Sequence, residues 1–312
     1  MIKKIMLLLA LAILFPCSVC GGDLPTLRLG ILPVIDTLPL IVAEKEGFFE
    51  REDLRVELVR FNSALERDTA LTSRNINGYF GDLLNTILLC NSGNGLLIVT
   101  NAYHTSPAQQ MFALVAAPGS GITSAGDIGS VPVAISKASV IEYFLDEMTM
   151  KAGIPPESVE KMEIRAIPIR YQMLMERRVS LALLPEPLAS KAIAGGAAPV
   201  LDDRNLDTTA TVIAIKTDFL TEHPEAGKGF MRAYDKSVRL ITRDPARFKE
   251  TLVNEARFPA SLIEGYTMHL FPLPGLPSRS DVSRVQSWLM KEGLLQHEFP
   301  YEDLVWEIPY KE

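Results

Sequence analysis

The spacing of hydrophobic and polar positions predicts a regular succession of strands and helices through the body of the chain. Residues 27–31 alternate between apolar and polar side chains, as in a strand buried on one face. The segment 39–47 has the composition of a helix, with Pro39 in its first turn and Gly47 at its end. The succession continues with strands predicted at 56–61, 78–80 and 96–100 and helices at 65–73 and 82–90. Strands that alternate with helices form mostly parallel sheets with right-handed crossovers, so the pattern predicts the α/β class.

A second block of the chain repeats this pattern. Its predicted strands are 132–135, 163–167 and 181–184, and its predicted helices are 140–152 and 171–178. Two apolar strands, 111–116 and 211–215, flank the block in the way that hinge strands flank an inserted lobe. Beyond residue 216 the pattern predicts long amphipathic helices, of which 225–242 is the clearest. We therefore predict a lobe one formed by 24–116 plus 216–312 and a lobe two formed by 117–210, each a mostly parallel sheet flanked by helices.

The amino terminus has a different character from the rest of the chain. Lys3 and Lys4 precede an unbroken apolar run at 5–15, whose eleven residues are too few to cross a bilayer but suit a secretory signal peptide. We predict a signal peptide at 1–19. Cys20 follows it as in a bacterial lipoprotein cleavage site, although Val19 is larger than the residue usual before such a cysteine. The expected location is the periplasm or the cell surface, with a lipid anchor on Cys20 and with cleavage without lipidation as the alternative.

Charge and cysteine content exclude several classes of function. The formal net charge of −7 argues against a nucleic-acid partner, which requires a basic face. Only Cys90 remains once the processed segment is removed, so no internal disulfide is possible and an inert buried thiol is expected. The four histidines, at 104, 223, 269 and 297, are scattered, and no metal-binding, phosphate-binding or nucleophile motif is present. We predict no metal, no cofactor and no catalysis.

Five short motifs, in order along the chain, resemble those of the periplasmic binding proteins that serve ABC importers of nitrate, sulfonates, taurine and thiamine pyrimidine precursors. The most specific is the strand 27–31 followed by the helix that ends in Gly47-Phe48-Phe49, in which the glycine stops the helix and the phenylalanines fill the core. The weaker motifs lie at 77–82, 124–129, 183–187 and 221–225.

The resemblance implies the two-lobed, type II periplasmic-binding-protein fold and a function in solute capture. A protein of this kind is a monomer that closes on a small molecule and delivers it to an ABC permease with its ATPase. The wider family also contains enzymes of pyrimidine and menaquinone-precursor biosynthesis. An enzyme of that kind and a ligand-sensing module for a signalling receptor are therefore the alternatives.

The ligand site is expected in the crevice between the lobes, because open α/β sheets bind ligands at the carboxyl ends of their strands. The candidate residues follow the predicted strands and carry polar, aromatic or backbone groups that could contact a ligand. In lobe one they are Asp36, Thr37, Leu38, Asn62, Gly81, Asp82, Tyr103 and His104, and in lobe two Ser136, Lys137, Ser139, Tyr171 and Glu186.

Four of these candidates have a simpler alternative role. Ser139 and Asp82 each precede a predicted helix, so each could contact a ligand or could merely cap its own helix, and Asp36 and Thr37 could likewise cap the helix that begins at Pro39. Three acids against few basic candidates favour a neutral or amine-bearing heterocycle, pyrimidine- or flavin-like, over a strong anion. Tyr103 and Tyr171 are the aromatic residues expected to stack on such a ligand.

Overall fold

Two five-stranded sheets, each flanked by helices, form the part of the chain that the computed structural model describes, residues 24–307. The strands are β1 (Thr26–Ile31), β2 (Arg55–Arg60), β3 (Gly78–Asp82), β4 (Leu96–His104), β5 (Phe112–Ala116), β6 (Val133–Ile135), β7 (Lys161–Glu163), β8 (Leu181–Pro185), β9 (Ala198–Asp202) and β10 (Thr209–Lys216). The helices are α1 (Leu38–Lys45), α2 (Ala64–Thr72), α3 (Leu83–Asn91), α4 (Val140–Lys151), α5 (Ile167–Met175), α6 (Leu188–Ala194), α7 (Thr217–Glu222), α8 (Pro224–Arg243), α9 (Lys249–Glu255) and α10 (Arg279–Lys291). The predicted signal peptide and Cys20 lie outside the described residues.

The two sheets have the same strand order. The first runs β2-β1-β3-β10-β4 and the second β7-β6-β8-β5-β9. In each sheet the first three strands are parallel, and the fourth is antiparallel to both of its neighbours. The predicted α/β class and the two-lobed fold are confirmed, and the chain builds one strand-and-helix motif twice.

The strand pairing moves the boundary between the lobes. The sequence pattern grouped 111–116 with lobe one, whereas β5 pairs with β8 and β9, which satisfy its backbone groups within the second sheet. β10 pairs with β3 and β4 in the first sheet. The chain therefore crosses between sheets at 105–111 and 203–208. We propose a lobe one of 24–104 plus 209–307 and a lobe two of 112–202.

One predicted strand is mostly an irregular connection that leads into a helix. Residues 163–167 were expected to be extended, but β7 ends at Glu163 and α5 begins at Ile167. Pro168 lies in the first turn of α5, where its fixed φ favours the helix and its missing N–H is not needed. A short apolar run followed by proline can therefore belong to a strand or to the start of a helix, and here it leads into α5.

The core of lobe one is closed by the turn that follows α1. Gly47 has φ 64°, the left-handed conformation that ends a helix at little steric cost. Phe49 is fully buried and stacks on Phe230 of α8 with ring centroids 5.4 Å apart. Phe48 is only partly buried, so only one of the two phenylalanines that were expected to fill the core, Phe49, does so.

Within residues 24–307, no helix is long and apolar enough to cross a membrane.

Candidate functional site

A small cavity of about 50 Å³ lies between the two sheets and is lined by residues of both lobes. Its walls are formed by the ends of strands and the first turns of the helices that follow them, as expected for an open α/β fold. Five of the predicted site residues line it: Asp36, Gly81, Asp82, Ser136 and Ser139. The space is much smaller than the several hundred Å³ of a typical ligand pocket.

Five predicted residues of lobe one do not line the cavity, and four of them lie in the core or at a separate depression. The Thr37 hydroxyl donates to the Val34 carbonyl (2.7 Å), and Leu38 is fully buried in the core. Asn62 lies with Thr37 at a separate depression. Tyr103 is fully buried, and its hydroxyl donates to the Gln109 carbonyl (3.4 Å).

His104 belongs to a different surface depression, of about 230 Å³. Its ring contacts Thr209 through Nδ1 at 3.3 Å and Asp207 through Nε2 at 3.2 Å. Within residues 24–307, no cluster of histidine, cysteine and acidic residues has a metal-binding arrangement. A role for His104 as a hydrogen-bonding loop residue accounts for these contacts.

Three predicted residues of lobe two also lie outside the cavity lining. Lys137 is exposed, and the Tyr171 ring lies 5.1 Å from the Lys191 ammonium. Glu186 is buried and accepts hydrogen bonds from the Ser190 hydroxyl (2.8 Å) and the Gln110 side-chain amide (3.1 Å). The Glu186 side chain therefore already has partners within the protein.

The turn before α4 forms one wall of the cavity. The Ile141 N–H donates to the Ser139 hydroxyl oxygen (3.3 Å), and the hydroxyl donates to the Ser136 carbonyl (2.7 Å). Ala138 has φ 51°, an uncommon conformation for a residue with a Cβ, and its N–H donates to the Glu142 carboxylate (2.7 Å). The Ser139 side chain thus caps its own helix, while the residue also lines the cavity.

The acids in the cavity wall are both on lobe one. Asp36 accepts a hydrogen bond from the Thr211 hydroxyl (2.7 Å), and burial raises its pKa from 3.8 to about 7. Asp82 accepts one from the Asn85 N–H (2.7 Å), which caps α3. Burial raises the pKa of Asp82 to about 6, against the opposing effect of the Arg67 guanidinium. Near neutral pH each acid exchanges between an acceptor-only and a donor form.

Two fully buried arginines in the cavity wall, Arg67 on α2 and Arg170 on α5, were not among the predicted site residues. Each occupies a position on the buried face of its helix where an apolar residue would be usual. Arg170, for example, lies between Ile167 and Leu174 at helical spacing. The sequence signal that could have identified these arginines is a charged residue at a helix position that the hydrophobic spacing assigns to the core.

The two arginines differ in their partners. Arg67 donates to one carboxylate oxygen of Asp68 through Nε (2.9 Å) and Nη2 (2.7 Å) and to the Phe80 carbonyl through Nη1 (2.9 Å). Among the described residues, Arg170 donates only to backbone carbonyls, those of Leu183 (2.9 Å) and Ile164 (2.7 Å). Its Nη2 is buried and has no hydrogen-bond partner in that part of the chain. Burial lowers the pKa of Arg170 from 12.5 to about 10, so it remains charged at neutral pH.

Hydrogen bonds between the lobes close the cavity. The Ile35 N–H donates to the Glu186 carbonyl (3.3 Å), and the Ile167 N–H donates to the Asn62 carbonyl (3.2 Å). Away from the cavity, the Trp288 indole N–H on α10 donates to the Asp146 carboxylate on α4 (3.0 Å). Apolar packing also joins the lobes, as where the Tyr143 ring meets the Trp288 ring edge to face with centroids 5.7 Å apart. Movement of the lobes about the two crossover segments would expose these contacts while leaving each sheet intact.

Comparisons with known proteins agree with this architecture. The model of the family described as "NMT1/THI5 like" matches residues 35–248. The alkanesulfonate-binding protein SsuA of Xanthomonas axonopodis pv. citri bound to MOPS has 17% identity and a TM-score of 0.78, over 92% of this chain and 99% of that one. The periplasmic nitrate-binding protein NrtA of Synechocystis PCC 6803 has 14% identity and a TM-score of 0.65, over 88% and 83%.

An enzyme shares the fold as well. The desulfurization enzyme DSZB has 14% identity and a TM-score of 0.68, over 90% of this chain and 96% of that one. Comparison with curated proteins finds no match.

Proposed function

The chain belongs to the NMT1/THI5-like family, and on that basis we propose that it is the solute-binding component of an ABC importer. In this role the protein captures a small molecule between its lobes, closes on it and delivers it to a permease driven by an ATPase. The observation that carries the proposal is the cavity lined from both lobes, which are joined by two crossover segments. A ligand that contacts both walls favours the closed state by its differential affinity for that state.

Binding without catalysis is the form of the proposal that the cavity chemistry favours. The described lining contains no thiol, imidazole or amine, and the Ser139 hydroxyl caps α4. The Asp36 and Asp82 carboxyls have raised pKa values that would suit general acids or bases, but they already accept hydrogen bonds from the Thr211 hydroxyl and the Asn85 N–H. Cys90 lies outside this lining, where burial raises the pKa of its thiol and so disfavours the nucleophilic thiolate. An enzyme and a sensing module for a receptor are the alternatives, and the fold alone does not separate them.

The ligand expected from the sequence was a neutral or amine-bearing heterocycle. Including the buried arginines in the count of charges at the cavity no longer favours that class over an anion. That preference counted carboxylates against Lys137 and His104, neither of which lines the cavity. A flavin-like ligand would also require the walls of a cavity of about 50 Å³ to separate. We therefore base the ligand class on the buried cations.

We propose that the protein acts outside the cytoplasmic membrane, as a monomer anchored by lipid on Cys20. Mass spectrometry of the protein purified from its native host is expected to show a mature chain that lacks about the first 19 residues, as for a cleaved signal peptide. A lipid-modified Cys20 would establish the anchor, and an unmodified new terminus would favour simple cleavage. A mature protein that retains Met1 would contradict export.

Solute capture predicts ligand-dependent closure. Compounds that raise the melting temperature are expected to reduce the radius of gyration in solution scattering, because a ligand between the lobes favours the closed state. The Trp288→Phe variant removes the hydrogen bond to Asp146 that joins α10 to α4. It is expected to close less readily and to bind about 10-fold more weakly, as for loss of one hydrogen bond to a charged group.

Trp306→Phe is the matched control, because Trp306 packs beside Gly227 of α8 within lobe one. It is expected to bind at native strength. The proposal fails if compounds that stabilise the native protein leave its radius of gyration unchanged, or if they are converted to products.

A further inference from the structure

The repeated motif allows the two buried arginines to be compared directly. Arg67 is the fourth residue of α2 and donates to the carbonyl of Phe80, the third residue of β3. Arg170 is the fourth residue of α5 and donates to the carbonyl of Leu183, the third residue of β8. Both pairs are 13 residues apart, and β3 and β8 hold the same place in their sheets. The arginines therefore occupy equivalent positions in the two lobes.

The equivalent positions differ in how the charge is balanced. Arg67 is followed by Asp68, whose carboxylate accepts two of its hydrogen bonds. Arg170 is followed by Tyr171, which has no acidic group, and no carboxylate within residues 24–307 forms an ion pair with Arg170. A buried cation without a counter-ion is costly, and its Nη2 remains available to an anion.

The surroundings of Arg170 are apolar where those of Arg67 are polar. In the first sheet Asp82 pairs with Thr211, and in the second sheet Pro185 pairs with Phe112 at the corresponding place. All four residues line the cavity. The wall on the side of lobe two therefore combines one fully buried cation with two serines, Ser136 and Ser139, and with apolar side chains, which suits a ligand that is anionic at one end and largely apolar elsewhere.

The remaining charges in the cavity wall have partners of their own. Arg165 donates to Glu163 (2.6 Å) and is exposed. On lobe one, Asp36 accepts a hydrogen bond from the Thr211 hydroxyl, and Asp82 accepts one from the Asn85 N–H. The positive charge of Arg67 also stabilises the ionised form of Asp82. Burial raises the pKa of Asp36 to about 7, so this acid is partly protonated near neutral pH, and the Arg67 guanidinium offsets the negative charge of Asp82.

We propose that Arg170 makes this cleft selective for a small acid anion with a compact apolar body, whose charged end binds the Arg170 guanidinium. The inference rests on the proposed solute-binding function and names its ligand class. The closed cavity is small, about 50 Å³, so the ligand is short. Carboxylates and sulfonates share the required chemistry.

The test uses isothermal titration of the full mature chain with four probes of similar size: butyrate, propane-1-sulfonate, butyramide and butylamine. We expect at least one of the two acids to bind about 10-fold or more tightly than the amide and the amine, as for a hydrogen bond to a charged group. The two acids distinguish a carboxylate site from a sulfonate site. Equal or tighter binding of the amide or the amine, or no binding of either acid, would overturn the proposal.

Two variants test the residue itself. Arg170→Met removes the charge, and Tyr171→Asp places a carboxylate where Asp68 stands in the other lobe. Each is expected to weaken binding of the acid by about 10- to 100-fold. Tyr171→Asn, which adds a neutral group of the same size as Asp, is the matched control and is expected to retain native affinity. Circular dichroism and thermal melting establish that each variant is folded.

The outcomes separate this inference from the proposed function. If a neutral or cationic compound from a wider screen stabilises and compacts the native protein while the acids do not bind, solute capture stands and the role of Arg170 is wrong. If Tyr171→Asp binds the acid at native strength in a folded protein, the assignment of the anion to Arg170 is also wrong. If no compound causes compaction, the function itself fails.

Discussion

Replacing Arg67 with methionine is expected to lower the free energy of unfolding by about 3–5 kcal/mol, as for breaking a buried ion pair. Arg67 is fully buried, holds the Asp68 carboxylate through two nitrogens, and lies over the Tyr79 ring at 4.3 Å. Methionine fills similar space but leaves Asp68 and Asp82 without their cation. Chemical denaturation of the native protein and the variant measures the effect.

The loss is expected to depend on pH. Burial raises the pKa of Asp82 to about 6 in the folded protein, while Arg67 opposes that rise. A carboxyl with a raised folded pKa binds more protons when folded than when unfolded, so its contribution to stability falls as pH increases from about 4 towards 6. Without Arg67 the pKa of Asp82 rises further, and the decline extends to higher pH. The Arg67→Met deficit should therefore be larger at pH 8 than at pH 5.

Arg170→Met is the matched control for this effect. It removes an equally buried arginine that donates only to carbonyls, so no carboxylate loses its partner. Its loss is expected to be smaller, about 1–2 kcal/mol, and independent of pH over this range. Equal losses in the two variants, or a deficit for Arg67→Met that does not change with pH, would contradict the role given to the Asp68 and Asp82 pairings.

The succession of elements was predictable because it depends on local hydrophobic spacing. The pattern predicted β1 to β4 and α1 to α4 within a few residues, and α8 from its three and four spacing. Sheet membership depends on which strands pair at long range, which local spacing does not encode. For this reason the pattern located β5 correctly in the sequence but grouped it with the first lobe.

The same limit explains what was found and missed at the site. Residues directly after strands, such as Asp82 and Ser136, could be predicted because strand ends meet at one edge of a sheet. Arg67 and Arg170 reach the cavity from helix faces, and their burial depends on what packs against those faces. The count of charges made from the strand ends alone therefore omitted the two cations that change the expected ligand.

Replacing Phe49 with alanine is expected to lower the free energy of unfolding by about 3–5 kcal/mol, as for a large aromatic residue in a packed core. Phe49 is fully buried, and its ring stacks on Phe230 at an interplanar angle of 11°. Phe230 in turn stacks on Tyr234 with centroids 6.4 Å apart, so the alanine variant leaves a cavity beside a rigid aromatic row. Thermal or urea unfolding measures the effect.

Phe48→Ala distinguishes this packing from a general need for aromatic residues in the turn. Phe48 is only partly buried, and the Arg51 guanidinium covers its ring at 4.8 Å. Its replacement is expected to cost about 1 kcal/mol, since less apolar surface returns to water and little cavity forms. Equal losses of stability in the two variants would mean that the turn depends on both rings alike. The stack of Phe49 on Phe230 would then not be the contact that holds the end of α1 in lobe one.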